Sequence, residues 1–268
     1  MKDLNSLTIK DDFIFNKVFS DAEVAKDFIE LLTGNKISKI NFIASQSVID
    51  NEYNSRGIRF DVEFVGDETI YDIEMQNSSK GDILRRIRYY QSSIDTRFLA
   101  KGKDYSELPN SIVIFICTYD VFKNGNPIYT VEPAVKEIGR FINNGTRVYI
   151  LNTKYTKEHS NRNIVSFLDY VEGRGNKTSM SYFVDKIDKA VSKVKESSIV
   201  RREFMSLQEL IDREREEAAK EAAKEAAKLN ARVLAENLDI SEKEAYDLIT
   251  SKRNKTTSNI TLNKMEFK

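Results

Sequence analysis

The chain has very few of the residues on which many enzyme sites and secreted proteins depend. Its 268 residues include one cysteine, Cys117, one histidine, His159, and no tryptophan. One cysteine allows no disulfide within the chain, and one histidine argues against a Ser-His-Asp triad, HNH-type catalysis or a His/Cys zinc site. Cys117 ends an apolar run typical of a buried strand, and His159 lies in a polar stretch typical of a loop.

Long apolar runs, phosphate-binding loops and an excess of one charge are also missing. No apolar segment approaches the roughly 18 residues of a membrane span, and the chain opens with the polar Met1-Lys2-Asp3, so we expect a cytoplasmic protein without a secretory signal. No glycine-rich loop followed by Lys-Ser or Lys-Thr occurs, which argues against a nucleotide cofactor. Lys plus Arg and Asp plus Glu both number 42, so any nucleic-acid-binding surface must be local.

Two consecutive segments with alternating polar and apolar residues predict a β-hairpin. Residues 57–64 and 69–76 alternate with a period of two, and the turn-like stretch 65–68 separates them. Alternate side chains of an extended chain point to opposite faces of a sheet. A tight connection at Gly66-Asp67 would therefore fold the two segments into an antiparallel pair with one acidic face and one apolar face.

The acidic face of this hairpin would bring carboxylates together. Asp61 would lie opposite or diagonal to Asp72 and Glu74, with Glu63 on the same surface. Converging carboxylates are costly unless a cation lies between them, and ligation by oxygen alone suits Mg²⁺ or Mn²⁺. Asp61 and Glu74 share a face only if the numbers of opposed residues sum to an odd value, as a two-residue or four-residue loop gives. The alternative is a solvated sheet face without a metal.

The order of these residues resembles the core of the PD-(D/E)XK nuclease superfamily. Its pattern is an Asp followed on the next strand by Glu-x-Lys; here Asp61 is followed by Glu74, and Gln76 stands at the Lys position. Within the superfamily the chain resembles the Rpn-type recombination-promoting nucleases, or PD-(D/E)XK nuclease family transposases. Further stretches that fit this branch are residues 12–19, residues 86–90 and 101–105 with the apolar run after them, and the charged helical tail.

The resemblance implies a fold, a reaction and a set of site residues. The fold is α/β, a restriction-endonuclease-like mixed sheet flanked by helices, with a charged helical extension at the C-terminus. The reaction is metal-dependent hydrolysis of phosphodiester bonds in DNA, linked to recombination or mobile elements. Asp61, Glu74 and Gln76 would be catalytic, and Asp61, Glu74 and the main-chain carbonyl of Met75 would bind Mg²⁺, for which Mn²⁺ can substitute.

Gln76 is the main departure from the superfamily pattern. A Lys there is expected to orient the attacking water and to stabilise the charge developing on the phosphate, whereas a neutral amide can orient a water but supplies no charge. Phe60 replaces the Pro of the superfamily name, which matters less. Two alternatives to a nuclease therefore remain: a catalytically weak or inactive DNA-binding or assembly module of the same fold, and a structural interaction protein whose hairpin face is solvated.

A predicted helix after the second strand carries a local excess of basic residues. Between Lys80 and Lys103 there are seven Lys or Arg residues and two acids. Arg86 and Tyr90 are neighbours on this helix, so the guanidinium can stack on the ring or hydrogen-bond beside it. We predict DNA contacts from Lys80, Arg85, Arg86 and Tyr90, which position DNA without reading its bases. In the alternative, Tyr90 belongs to the core and the arginines only solvate the outer face of the helix.

The composition of the sequence becomes more charged near residue 200. This change predicts three parts: a nuclease domain (1–200), a charged helical spacer (201–236), and a small helix with a disordered tail (237–268). Glu-Ala-Ala-Lys repeats within 217–228 pair Glu with Lys along an exposed helix and offer no apolar seam, so a homodimer through the spacer is the lesser expectation. Residues 241–244, Ser-Glu-Lys-Glu, form a capping box that opens the small helix.

Overall fold

The computed structural model describes residues 3–45, 48, 49, 58, 59, 62–79, 82–174 and 181–250, with the backbone alone for those between 41 and 59. The chain consists of two compact units, Lys2–Arg201 and the residues from Arg202 onward. Within the described residues, no helix combines the length and the apolar character that crossing a membrane requires.

The first unit contains a central mixed sheet of six strands. The strands within the described residues, in chain order, are β1 (Ile40–Ser45), β2 (Val48–Ile49), β3 (Ile58–Arg59), β4 (Val62–Gly66), β5 (Thr69–Gln76), β6 (Asn110–Cys117), β7 (Ile128–Val131), β8 (Ala134–Val135), β9 (Arg140–Phe141) and β10 (Thr146–Asn152). The central sheet has the order β1-β4-β5-β6-β10-β7, while β2 pairs with β3 and β8 with β9. β5, β6 and β10 run parallel to one another, and the other neighbouring pairs are antiparallel.

Helices flank this sheet, so the predicted α/β class with a restriction-endonuclease-like mixed sheet is confirmed. They are α1 (Asp12–Phe19), α2 (Ala22–Thr33), α3 (Ile83–Phe98), α4 (Arg162–Glu172) and α5 (Tyr182–Glu196). α1, α2, α4 and α5 pack against one another. Their shared core is aromatic: the ring centroids of Phe19 and Phe28 are 5.2 Å apart, those of Phe28 and Phe167 5.2 Å, and those of Phe167 and Phe183 5.7 Å.

The β1–β4 and β2–β3 pairs follow one register. Ser45 lies opposite Val62 and Val48 lies opposite Arg59, so the numbers of the opposed residues sum to 107 in both pairs. The residues between the two pairs, 46, 47, 60 and 61, lie outside the described residues. β3 and the first part of β4 fall within the predicted strand segment 57–64, and β1 lies at one edge of the central sheet.

α3 covers the face of the sheet that carries the acidic residues. Asp82 caps the helix by accepting a hydrogen bond from the Arg85 N–H at 3.1 Å. Ile87, Tyr90 and Ile94 are buried in one cluster with side chains of β6, namely Val113, Phe115 and Cys117. These three residues form an apolar stripe along α3, whereas Phe98 at the end of the helix is 36% exposed.

The second unit contains most of α6 (Ser198–Leu238) and a helix at residues 242–250. The predicted capping box is present: the Ser241 N–H donates to Glu244 at 3.0 Å, and the Glu244 N–H donates to Ser241 Oγ at 3.3 Å. Ala231, Ala235 and Ala245 are buried between the two helices. The later alanines of α6 thus form an apolar contact that we did not expect. The predicted disordered tail, 251–268, lies outside the described residues.

Candidate active site

The register between β4 and β5 determines which side chains share a face. A two-residue turn at Asp67-Glu68 joins the strands, and the numbers of the opposed residues sum to an odd value. This is the register that the predicted pairing of Asp61 with Glu74 requires. Asp61 itself lies outside the described residues, and so does Lys80. Their predicted roles therefore stay predictions.

The acidic face of the hairpin is buried, not solvated. Glu63 and Asp72 lie opposite each other across the β4–β5 pair, and Glu74 follows Asp72 on the same face. Their exposed fractions are 1%, 0% and 1%, respectively. The expectation of a solvated hairpin face is therefore wrong for these strands, because α3 covers it. Burying carboxylates is costly, so the face requires compensating positive groups.

α3 provides two arginines that pair with these acids. Arg97 forms an ion pair with Glu63, and Arg86 Nη2 lies 2.9 Å from Glu74 Oε2. The two arginines are about three helical turns apart, so each reaches a different part of the acidic face. Burial raises the pKa of Glu63, and the Arg97 guanidinium offsets part of that rise. The Glu63–Arg97 pair was not predicted from the sequence. A signal for it was the presence of arginines on the side of the helix that also carries Ile94.

Arg86 bridges the two polar side chains at the end of β5. Its Nη2 donates to Glu74 Oε2 at 2.9 Å, and its Nη1 donates to Gln76 Oε1 at 2.6 Å. Its Nε and Nη2 also donate to the Tyr90 hydroxyl, at 3.0 and 2.6 Å. The Gln76 amide nitrogen donates to the carbonyl of Ser78 at 2.6 Å, so the amide is held at both ends. Three predicted site residues, Glu74, Gln76 and Arg86, are thus brought together.

Tyr90 is part of this site and of the core at once. Its side chain is 5% exposed, and its hydroxyl lies 3.4 Å from Glu74 Oε2. Burial, with the charge of Glu74 as a second cause, raises the pKa of Tyr90 well above its usual value. The hydroxyl is therefore protonated at neutral pH. The neighbouring Arg85 differs: its side chain is 80% exposed and pairs with Asp82 at the start of α3.

The donor atoms near Glu74 fit a hard divalent cation. Carboxylate and carbonyl oxygens are the ligands that Mg²⁺ prefers. The Met75 side chain is buried on the opposite face of β5 from Glu74, so the main-chain carbonyl is the hard donor that Met75 offers. Among the described residues, no group of three or more His, Cys, Asp or Glu side chains is arranged to hold a metal ion. Of the two carboxylates predicted to bind the metal ion, Glu74 belongs to the described residues and Asp61 does not.

The carboxyl ends of β5, β6 and β10 meet at the edge of the sheet where Gln76 lies. Cys117 pairs with Gln76 in the β5–β6 register and is fully buried. Burial raises the pKa of Cys117 to about 12, while a hydrogen bond with Tyr119 lowers it by less. The Thr153 N–H donates to the Cys117 carbonyl at 3.0 Å, which aligns the end of β10 with the end of β6. The prediction that Cys117 is a buried structural residue is confirmed.

A second polar cluster lies at this edge of the sheet, and no sequence pattern predicted it. Glu172 accepts a hydrogen bond from Thr153 Oγ1 at 2.7 Å and pairs with Lys154 and with Lys10, the latter at 3.3 Å. Burial raises the pKa of Glu172, but hydrogen bonds from Lys154 and Thr153 and the charge of Lys10 outweigh it and lower the pKa to about 2. The Asn77 amide donates to the Lys10 carbonyl at 2.6 Å, which ties the segment before α1 to the end of β5.

Comparison with known proteins bears on this arrangement. Residues 9–238 match a protein-family model described as PD-(D/E)XK nuclease family transposase. No curated protein and no solved structure matches the chain.

Proposed function

Because the chain belongs to the PD-(D/E)XK nuclease family transposases, we propose that it is a metal-dependent DNA endonuclease whose site lies at the end of β5. The observation that carries the proposal is the contact of Arg86 with both Glu74 and Gln76, the two polar positions of the Glu-x-Gln segment. A buried carboxylate, an oriented amide and a guanidinium at one strand end are the groups that phosphodiester hydrolysis uses.

In this proposal Asp61, Glu74 and the carbonyl of Met75 would hold one or two Mg²⁺ ions, or Mn²⁺. Such an ion, when bound, would lower the pKa of a water and so provide the nucleophile. Glu74 is held by Arg86 before any ion binds, which orients its Oε2 atom. Gln76 directs the attacking water through its amide, which the hydrogen bonds to Arg86 and Ser78 already orient.

The substrate in this proposal is DNA, held by the start of α3. Arg85 is largely exposed there, and Lys80 precedes it in the sequence. Contacts of these two residues with phosphates would be salt-dependent and would carry little sequence specificity. Tyr90 contributes by holding Arg86 through its hydroxyl.

The wider setting is also a proposal. We assign the nuclease domain to residues 1–200, a charged helical spacer to 201–236, and a small helix with a tail to 237–268. The protein would act in the cytoplasm, in recombination or in the movement of mobile elements. α6, with 41 residues, supports the spacer assignment, whereas a homodimer through it has no such support.

A second candidate function has its own observation. Gln76 supplies no charge, and Glu74 already pairs with Arg86 at 2.9 Å. A weak or inactive site with DNA-binding or assembly activity would also have these features.

Incubation of the purified protein with supercoiled, linear and single-stranded DNA, in Mg²⁺, Mn²⁺ or chelator, separates the two. The nuclease proposal expects cleavage that needs a divalent ion and is lost in Glu74→Gln, with weaker metal binding and an unchanged circular dichroism spectrum. Glu132→Gln is the matched control, because Glu132 pairs with Arg147, which lies near the other end of β10. Binding of DNA without cleavage in any metal would favour the second candidate. Full activity of Glu74→Gln would exclude this site.

A further inference from the structure

We propose that Arg86 supplies the positive charge that Gln76 lacks, and that it does so by releasing Glu74 when a divalent cation binds. The inference rests on the proposed function and adds a catalytic residue to it. In the metal-free protein Arg86 is the counter-ion of Glu74. In the metal-bound protein the guanidinium contacts the phosphate.

The Arg86 guanidinium lies close to the end of the Gln76 side chain. Arg86 Nη1 is 2.6 Å from Gln76 Oε1, so a positive group lies within one hydrogen bond of the place that a lysine at position 76 would reach. An arginine side chain is protonated at every physiological pH. The end of β5 therefore has a positive charge beside it, which comes from Arg86 of α3 and not from a residue of β5.

Arg86 and a bound cation would compete for the same atom. Arg86 Nη2 donates to Oε2 of Glu74, the carboxylate proposed to bind the metal ion. A guanidinium and a divalent cation at the same carboxylate repel each other over a short distance in a poorly screened site. Binding of the cation must therefore weaken the Arg86–Glu74 pair. Conversely, the pair lowers the affinity of the site for the cation.

Arg86 has room to move and Glu74 has little. The Arg86 side chain is 39% exposed, whereas that of Glu74 is 1% exposed. The guanidinium carbon lies 5.0 Å from the centroid of the Tyr90 ring and 5.7 Å from that of Phe115. These rings retain the guanidinium near the strand end after it leaves Glu74. Its planar fork then matches two phosphate oxygens, a geometry that a lysine does not offer.

The inference predicts effects of opposite sign. Arg86→Ala removes a competitor of the metal ion, so Mn²⁺ should bind about three to ten times more tightly, as measured by calorimetry without DNA. The same variant loses the charge that stabilises the transition state, so cleavage should slow by about 10² to 10³. An arginine that only supports the fold would weaken metal binding and activity together.

Three variants make this test specific. Arg147→Ala is the matched control, because Arg147 also pairs with a glutamate and is 42% exposed; it should leave both measurements unchanged. Arg86→Gln keeps much of the side-chain volume and serves if Arg86→Ala does not fold. Gln76→Lys added to Arg86→Ala returns a charge to the strand end and should recover at least about tenfold in cleavage rate.

The outcomes separate this inference from the proposed function. If the wild-type protein neither binds Mn²⁺ nor cleaves DNA, the proposed function fails and the inference fails with it. If the wild-type protein does both, the inference alone is overturned by either of two results. One is weaker or equal Mn²⁺ binding in the Arg86 variants, and the other is no recovery on adding Gln76→Lys.

Discussion

Removal of the Arg97 side chain tests whether the buried acidic face depends on α3 for its charge balance. Arg97→Met keeps an apolar stem over the sheet but removes the guanidinium that pairs with Glu63. Glu63 is 1% exposed, so its carboxylate would have to stay ionised in a poorly solvated place or take up a proton. Either response costs stability at neutral pH.

The size of this loss follows from the burial of the two partners. Breaking a buried ion pair by removing one partner costs about 3 to 5 kcal/mol. The Arg97 side chain is 30% exposed, so water already screens the pair, and we expect a loss of about 2 to 3 kcal/mol. For a chain of this size that lowers the melting temperature by about 5 to 10 °C.

The dependence on pH has a definite sign. Burial raises the pKa of Glu63 above its unfolded value, and the variant lacks the Arg97 charge that offsets part of this rise. The folded variant therefore holds a proton that the unfolded chain releases, so its stability falls as the pH increases through this range. The difference from wild type should be small near pH 5 and larger at pH 8.

Circular dichroism melts and urea titrations between pH 5 and pH 8 measure both quantities. Arg147→Met is the control, because Arg147 and Glu132 are 42% and 28% exposed and such a pair contributes about 1 kcal/mol or less. Glu63→Gln added to Arg97→Met should recover part of the stability. The reasoning is refuted if Arg97→Met loses no more stability than Arg147→Met, or if its loss is the same at every pH.

Two further predictions concern other parts of the first unit. Glu172→Gln should lower the free energy of unfolding by about 1 to 2 kcal/mol at pH 7 and make stability depend less on pH in the acid range. The reason is that the lowered pKa of Glu172, about 2, gives stability that is present above the unfolded pKa and lost as the pH falls toward 2. Acid titration followed by circular dichroism measures this change. Arg85→Ala should weaken DNA binding about equally for all sequences and reduce the slope of log affinity against log salt by about 1, as measured by fluorescence anisotropy; an unchanged slope would remove Arg85 from the DNA surface.

The hairpin could be predicted from the sequence because its signals are local. A period of two and a turn sequence define each strand without reference to the rest of the chain, and β5 begins and ends where predicted, at Thr69 and Gln76. The alternation also assigned Glu74 and Gln76 to one face correctly. The register followed from the length of the turn, which was one of two allowed lengths.

The burial of the acidic face could not be predicted from the hairpin. Whether Glu63 and Asp72 meet water depends on which surface of α3 packs on the sheet, and basic residues on a helix are usually a solvated face. The structure shows the reverse, since Arg86 and Arg97 pair with acids beneath the helix. The cluster around Glu172 was still less accessible, because it joins residues far apart in the sequence.

The burial of the single cysteine has a practical consequence for measuring motion in this protein. Burial raises the pKa of the Cys117 thiol to about 12, so little of the reactive thiolate is present at pH 8, and the buried side chain is inaccessible to reagents. A cysteine introduced at an exposed site on α6 or α3 would therefore react selectively with a maleimide dye or a nitroxide. The natural sequence is thus ready for fluorescence or spin-label distance measurements without prior removal of a thiol.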